Sequence, residues 1–484
     1  MQTTSQRVDA SPRLGMLLTV LAGAPFLASL DLFVVNVAFQ DIGRAFPGHS
    51  IGNLSWILNA YAIVYAALLI PLGRWADRVG RKRGFLLGLV LFTVASIGAA
   101  ASTGLWMLVG FRLVQAVGAA ALTPTSLGLL ISAVPAAKRT ASVRIWAALG
   151  AAAAALGPVV GGLLVELSWR WVFIINIPIG IALIVLALRF VPDSLDAKAP
   201  GELDLVGAVV LTVGIGALAL ALVEGPDWGW SSDGVIASFV VAAVALAGFW
   251  LNIAQHASPL IDPALLRVRT FAWANASGLL FSAAFAAGLL CNILWLQEVW
   301  GYSASKAGLA IAPGPTLVPV FSYVAQRLSA KVGAGLIAAA GCVFTALGTV
   351  LVASTVAAEP AYATAYLPGW LVAGVGVGLA LPTILSTATA ELPVDRGATG
   401  SAIVNMSRQI GTVLGISVLV AILGSASSSA DYAGVHDHFV LAWWVIAAVG
   451  LAAAVTALGL TAGQDKAAVN DGVPSAMTAR SSSA

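Results

Sequence analysis

Gly73-Arg-Trp-Ala-Asp-Arg-Val-Gly-Arg-Lys-Arg83 stands between two long apolar runs and packs five Lys or Arg residues and a single acid into eleven positions. Lys and Arg beside a membrane-spanning segment are retained on the cytoplasmic side, so this stretch predicts which way its neighbouring helices point. Gly73 and Gly80 make a tight turn possible, and Asp77 is the odd residue among the cations. Read by itself, the stretch is an orientation anchor.

The runs on either side belong to a chain of 484 residues that is 60% hydrophobic and 9% charged. A soluble domain carries roughly 25% charged residues, so this chain belongs in a lipid bilayer. A net charge of +3 spread over connections gives no reason to expect nucleic-acid binding. Cys291 and Cys342 lie inside apolar runs, so neither a disulfide framework nor a metal cluster is indicated. His49, His256, His436 and His438 fall in polar connections, leaving no histidine as a proton relay within the membrane.

About 20 apolar residues cross a bilayer core, and fourteen such segments can be marked out. They are Leu14 to Phe39, Asn53 to Leu72, Gly84 to Ala101, Gly104 to Val134, Ser142 to Leu167, Val172 to Val191, Leu205 to Val223 and Gly234 to Ala254. Six more follow: Phe271 to Leu296, Ser305 to Ala325, Ala334 to Thr355, Tyr366 to Ala390, Ala398 to Leu423 and Phe439 to Leu460. With the Gly73 to Arg83 stretch inside, only Arg44, Arg170 and Lys306 fall on the far side, while Arg112 and Arg408 lie within spans. That asymmetry predicts fourteen helices with both termini cytoplasmic. Ala22-Gly23-Ala24 imitates a leader cleavage site, but the apolar run continues past it to Phe39, so no leader is read.

An internal duplication follows from two alignments. Arg74-Trp-Ala-Asp-Arg-Val-Gly80 matches Arg327-Leu-Ser-Ala-Lys-Val-Gly333, and Gly157 with Gly161 matches Gly411 with Gly415 at nearly the same offset. The expected organisation is a six-helix bundle over 1–195, two inserted helices over 196–256, a second six-helix bundle over 257–463 and a disordered cytoplasmic tail over 464–484. Ala330 stands where the first half has Asp77, so an acid latch can exist only in the first half. No phosphate-binding loop, nucleophile elbow or zinc-protease motif occurs, so uphill movement needs an ion gradient, and no enzymatic activity, cofactor or metal is expected.

Asp31 lies well inside the first span. An ionised carboxylate at such depth costs roughly 2.5 to 3.5 kcal/mol on insertion scales, so it faces a cavity or a partner. Burial resists its charge and a nearby cation supports it, so such an acid can change its charge with its surroundings. Arg112 and Gln115, three apart in the fourth span, share a face. Arginine keeps its proton, and Asp31 is the only deep acid available to pair with it. Such a pair either couples protonation to conformation or is a fixed brace.

Gly150, Ala154, Gly157 and Gly161 give the fifth span one face of small side chains, and Pro158 permits a bend. This predicts close helix approach, whether as ordinary packing or as a dry seam between the halves. Ser401, Asn405, Arg408, Gln409 and Thr412 make a polar stripe at helical spacing in the thirteenth span, which should line water. Pro313, Pro315 and Pro319 mark a broken tenth span. Asn36 in the first span and Trp56, Asn59, Tyr61 and Tyr65 in the second supply amide and aromatic surface for a substrate cavity; aromatic faces suit a lipophilic cation, and at span ends also anchor the bilayer interface.

Several of these residues carry a resemblance. Gly73, Asp77, Arg78, Gly80, Arg81 and Lys82 resemble the loop between the second and third spans of the major facilitator superfamily, where the acid and the basic residues latch the two halves on the cytoplasmic side. Leu30-Asp31 through Asn36-Val-Ala38, Arg112 with Gln115, Gly150 through Gly162 with Gly157-Pro158 and the pair Gly161-Gly162, and Trp169 through Gly180 are similar to motifs of its fourteen-helix drug:proton antiporter branch, the EmrB/QacA type. Ala116 departs from that pattern, where glycine is usual. The resemblance implies an all-α membrane protein with two six-helix bundles around a cavity, Asp31 as the proton-coupling acid, and export of hydrophobic or amphipathic small molecules such as drugs or antibiotics across the cell membrane by alternating access. With one deep acid, about one proton per cycle is expected, so exchange for a monovalent cation would move no net charge. Protons, a small-molecule substrate and the lipid bilayer are the implied partners of a chain acting as a monomer. Two alternatives remain on the same scaffold, a symporter or uniporter for a small metabolite and a transport-inactive membrane sensor.

Overall fold

The structure is a computed structural model that describes residues 12–194, 203–392, 396–424 and 432–461. The tail expected over 464–484 and both chain termini lie outside the described residues. Fourteen helices are long and apolar enough to cross a membrane: Leu14–Ala45, Ile51–Val79, Arg81–Ala100, Leu105–Ala133, Ala141–Leu167, Trp171–Phe190, Leu205–Trp228, Asp233–Gln255, Arg269–Val299, Ala304–Ser329, Ala334–Thr355, Tyr362–Ala390, Thr399–Gly424 and Gly434–Leu458. They are called the first to the fourteenth helix below.

Their ends follow local chemistry. Ser50, Asp204, Ser232 and Ser303 each accept a hydrogen bond from a backbone N–H in the first turn of the helix they precede. The turn after the second helix is shorter than the sequence implies. The helix runs on to Val79 and only Gly80, with φ at +121°, reverses the chain before Arg81 begins the third helix. Gly73 is helical instead, and stays small because a Cβ there would sit 3.1 Å from Pro124 of the fourth helix. Gly333, at φ +91°, makes the matching reversal between the tenth and eleventh helices. A side chain at Gly80 would both adopt a strained backbone and stand 3.3 Å from Asp193 Oδ1. Gly80→Ala is therefore expected to cost about 1–3 kcal/mol, seen as a lower midpoint of thermal denaturation in detergent; an unchanged midpoint would show that the turn relaxes freely.

The tenth helix breaks at Ala312, where two proline-poor turns give way to Pro313 and Pro315. Pro315 has no N–H to offer Ile311, and that carbonyl accepts instead from Trp370 Nε1 at 2.7 Å, while Tyr362 Oη donates to Ala310 at 2.9 Å.

Packing gives the architecture. The first helix lies along the fifth, the third along the fourth, and the second on the fourth; the ninth lies along the thirteenth, the eleventh along the twelfth, and the tenth on the twelfth, the same pattern repeated. The glycine pairs repeat too: Gly157 and Gly161 admit Phe33 and Val34 of the first helix, and Gly411 and Gly415 admit the carbonyls of Leu279 and Ala283 in the ninth. Across the middle, the second helix meets the thirteenth, the fifth meets the outer segment of the tenth over Ala304–Ile311, and the seventh lies against both the second and the thirteenth. Asp204, at the start of the seventh helix, accepts from Asn252 of the eighth and from the Leu260 N–H ahead of the ninth. Arg74 of the second helix donates to the carbonyls of Ser258 and Pro259, tying the same connection to the first half.

The end remote from Gly80 is closed by aromatic side chains. Trp295 sits 5.2 Å from Trp443 and 5.3 Å from Phe439, and Trp300 stacks edgewise on Tyr366. Gln297 Nε2 donates across to the Val37 carbonyl at 3.1 Å, and Ser305 Oγ donates to Glu166. Toward the Gly80 end the tenth helix packs on the twelfth rather than on the fifth.

Candidate functional site

Five helices of the first half meet at one carboxylate. Asp31, Arg112, Gln115 and Asn176 are all at 0% exposure. Asp31 and Asn36 are the two buried polar side chains of the apolar first helix among the described residues, and the small stripe of the fifth helix lets that helix pack close at Phe33 and Val34. Arg112 Nη1 pairs with Asp31 Oδ2 and donates to Gln115 Oε1 at 2.7 Å, while its Nε donates to the Ile57 carbonyl of the second helix at 3.1 Å. Gln115 Nε2 donates to Asp31 Oδ1 at 2.8 Å and to Ser96 Oγ of the third helix at 3.0 Å. Asn176 Nδ2, from the sixth helix, donates to the same Asp31 oxygen at 2.7 Å. The guanidinium lies 4.1 Å over the Tyr61 ring, and Arg112 Nη2 makes no hydrogen bond.

The pair expected from sequence is thus formed, with Gln115 inside it. Asn176 and Ser96 join it without having been singled out, although Asn176 lies within the Trp169 to Gly180 stretch, at the point where the sixth helix is interrupted between Trp171–Ile174 and Asn176–Phe190.

The other residues expected in a cavity separate into groups. Tyr61 gives its ring face to Arg112, so that face is not open to a substrate. Asn59 is fully buried and donates to Ser417 Oγ at 3.3 Å, fastening the second helix to the thirteenth. Asn36 turns back on its own helix, donating to Leu32 O at 2.9 Å. Trp56 lines a separate side pocket of about 480 Å³ with Asn53, Trp106, Leu220, Glu224, Asp227 and Trp228. Tyr65 remains at the centre, its hydroxyl 3.0 Å from Thr123 Oγ1. Asn405 and Arg408 touch at 3.3 Å on the thirteenth helix, and Gln409 Oε1 is buried without a partner.

At the Gly80 turn, Asp77 accepts from Arg81 Nε at 2.6 Å, Arg81 N–H donates to Ser194 and Lys82 Nζ to Leu188. These contacts stay within the first half, and Arg74 of the same stretch donates to the connection ahead of the ninth helix. In the fifth helix Gly150, Gly157 and Gly161 face the first helix of their own half, so they form no seam between the halves. Gly162 and Pro158 make that seam: a Cβ on Gly162 would lie 2.5 Å from the Ala304 carbonyl, and Gly308 is held against the Pro158 carbonyl. Among the described residues no group of His, Cys, Asp and Glu could hold a metal ion.

Comparison with known proteins gives a consistent set. Residues 21–416 match the profile of the Major Facilitator Superfamily. The chain is 34% identical over 403 residues to the multidrug resistance protein Stp of Mycobacterium tuberculosis, covering 83% of this chain and 74% of that one. It is 32% identical over 461 residues to the methylenomycin A resistance protein of Bacillus subtilis, covering 93% and 95%, and 33% identical over 446 residues to the cephamycin export protein CmcT of Amycolatopsis lactamdurans, covering 90% of each. The crystal structure of a peptide transporter POT in complex with sulfate superimposes with a TM-score of 0.67 at 17% identity, covering 93% of this chain and 94% of that one, a likeness of fold.

Proposed function

This chain belongs to the major facilitator superfamily, and from that premise we propose that it exports hydrophobic or amphipathic small molecules, such as drugs or antibiotics, across the cell membrane in exchange for protons. The two six-helix units, 1–195 and 257–463, rock about the substrate with 196–256 inserted between them, the Gly80 end faces the cytoplasm, and one chain is the working unit. The relatives' names support the direction of transport, and the buried Asp31–Arg112 pair supports the coupling.

The pair acts as follows. While Asp31 is ionised, its two oxygens hold Arg112, Gln115 and Asn176, which draws the first, fourth and sixth helices together. A proton on Asp31 removes the charge that offsets Arg112 and makes one oxygen a donor facing donors. Arg112 then keeps only Gln115, the Ile57 carbonyl and the Tyr61 face. A buried charge that loses its counter-charge is costly, so the half rearranges until water or another acceptor reaches the guanidinium. Proton gain and release on opposite sides of the membrane thereby bias the rocking.

The test is flux in vesicles of purified protein. A pH gradient acid on the side opposite the Gly80 turn should drive a fluorescent amphipathic substrate toward that side, and a protonophore should abolish the movement. Equal flux with and without the gradient would remove proton coupling from the proposal.

A further inference from the structure

A second arginine within the membrane is left out of this cycle. Arg408 lies on the thirteenth helix, which meets the second across the middle of the molecule, with Tyr65 of the second helix as an electrostatic neighbour. Its Nε is buried and makes no hydrogen bond, and its Nη1 reaches Asn405 Oδ1 only at 3.3 Å. Among the described residues no carboxylate forms an ion pair with it. Arg112, whose Nη2 is also unbonded, is nevertheless held by a counter-charge, an amide and a carbonyl on three helices, and it is the counter-charge that Arg408 lacks. Arg408 cannot shed its charge, and an arginine within a membrane span pairs with a partner or with water in a cavity.

The surroundings describe what that partner is. A guanidinium offers parallel N–H donors that match a carboxylate or sulfonate. Gly278 of the ninth helix touches the Arg408 stem, its missing Cβ 3.7 Å from Cγ. Two turns further toward the closed end, and on the same face, the ninth helix presents Phe285, whose ring lies 6.2 Å from Phe33 of the first helix. Seven helical residues rise about 10 Å. The ninth helix thus passes a cation at one level and, two turns on, an aromatic pair that joins both halves.

We propose that Arg408, with Asn405, receives the acidic group of the transported compound, and that the exported class is amphipathic organic acids with an apolar body reaching Phe33 and Phe285. This deepens the export reading and rests on it. Tyr61 does not argue for a cation instead, since its ring already serves Arg112 and stacks on Tyr65.

Binding, measured without any flux, tests it. The purified full chain in lipid nanodiscs is titrated at pH 8 with three probes of one shape: biphenyl-4-carboxylate, its methyl ester, and biphenyl-4-yl-trimethylammonium. The carboxylate should bind roughly tenfold or more tighter than the ester, the gain expected of a charge-assisted hydrogen bond. Arg408→Gln should erase that preference and leave ester binding unchanged, and Arg408→Lys should retain part of it. The inference is overturned if the wild type binds the ester or the ammonium compound as tightly as the acid, or if Arg408→Gln weakens acid and ester alike while Arg408→Lys restores neither. An acid preference that depends on Arg408 in a protein showing no pH-driven flux would sink the export reading and leave the anion site standing.

Discussion

Asp31→Asn is expected to reduce pH-driven efflux to the level of empty vesicles while the chain still inserts in the membrane. Asparagine holds the same space but cannot carry a proton. It also has one acceptor where the structure uses two: Oδ1 takes Gln115 and Asn176, and Oδ2 takes Arg112. Whichever way the amide turns, an N–H meets donors, and Arg112 is left buried without a counter-charge. Breaking such a pair from one side costs about 3–5 kcal/mol, so a lower denaturation midpoint in detergent should accompany the loss of transport. Substrate exchange down its own gradient is the informative companion measurement, because it needs rocking but no proton. Full pH-driven efflux in the mutant would show that the proton rides elsewhere.

The second large effect is expected at Gly162. Its hydrogen faces the Ala304 carbonyl and the Ser305 Cα, where the fifth and tenth helices close the end remote from the Gly80 turn. Leucine cannot fit there without pushing the two halves apart. Overpacking of this kind costs about 1–3 kcal/mol, enough to move a two-state balance by roughly 5- to 150-fold. Gly162→Leu should therefore depopulate the conformation described here and slow transport by a similar factor. Spin labels at the exposed positions Leu167 and Lys306 would report it as a longer distance across that end. An unchanged distance distribution would mean that the seam has room the structure does not show.

How much of this could be read from the chain differs by feature, for physical reasons. The helices were legible because a bilayer forces every backbone polar group into an internal hydrogen bond, and only long apolar runs satisfy that. The Asp31–Arg112 pair was legible because each was the deep charge that the other needed. Asn176 and Ser96 were not, because a lone amide or hydroxyl within a span can bond to its own helix, as Asn36 does, and spacing cannot tell the two cases apart. Asn59 and Tyr61 were read as cavity surface, but their partners, Ser417 and Arg112, lie on helices distant in sequence. The glycines of the fifth helix announced close approach without saying to what; Gly161 and Gly162 are neighbours in sequence yet face different helices. Asp77 was read as a latch between the halves; here it accepts from Arg81 of its own half, and Arg74 adds bonds to the Ser258 and Pro259 carbonyls that no side-chain pattern reveals.

The seventh helix has a further implication for how greasy molecules arrive. Lying along both the second and the thirteenth helices, it curtains that flank of the cleft from the acyl chains. The fifth helix packs on the tenth through Ala304–Ile311, and beyond Pro313 the tenth packs on the twelfth instead. A compound dissolved in the surrounding lipid is therefore expected to enter between the fifth helix and the Pro313–Val332 segment of the tenth rather than past the seventh.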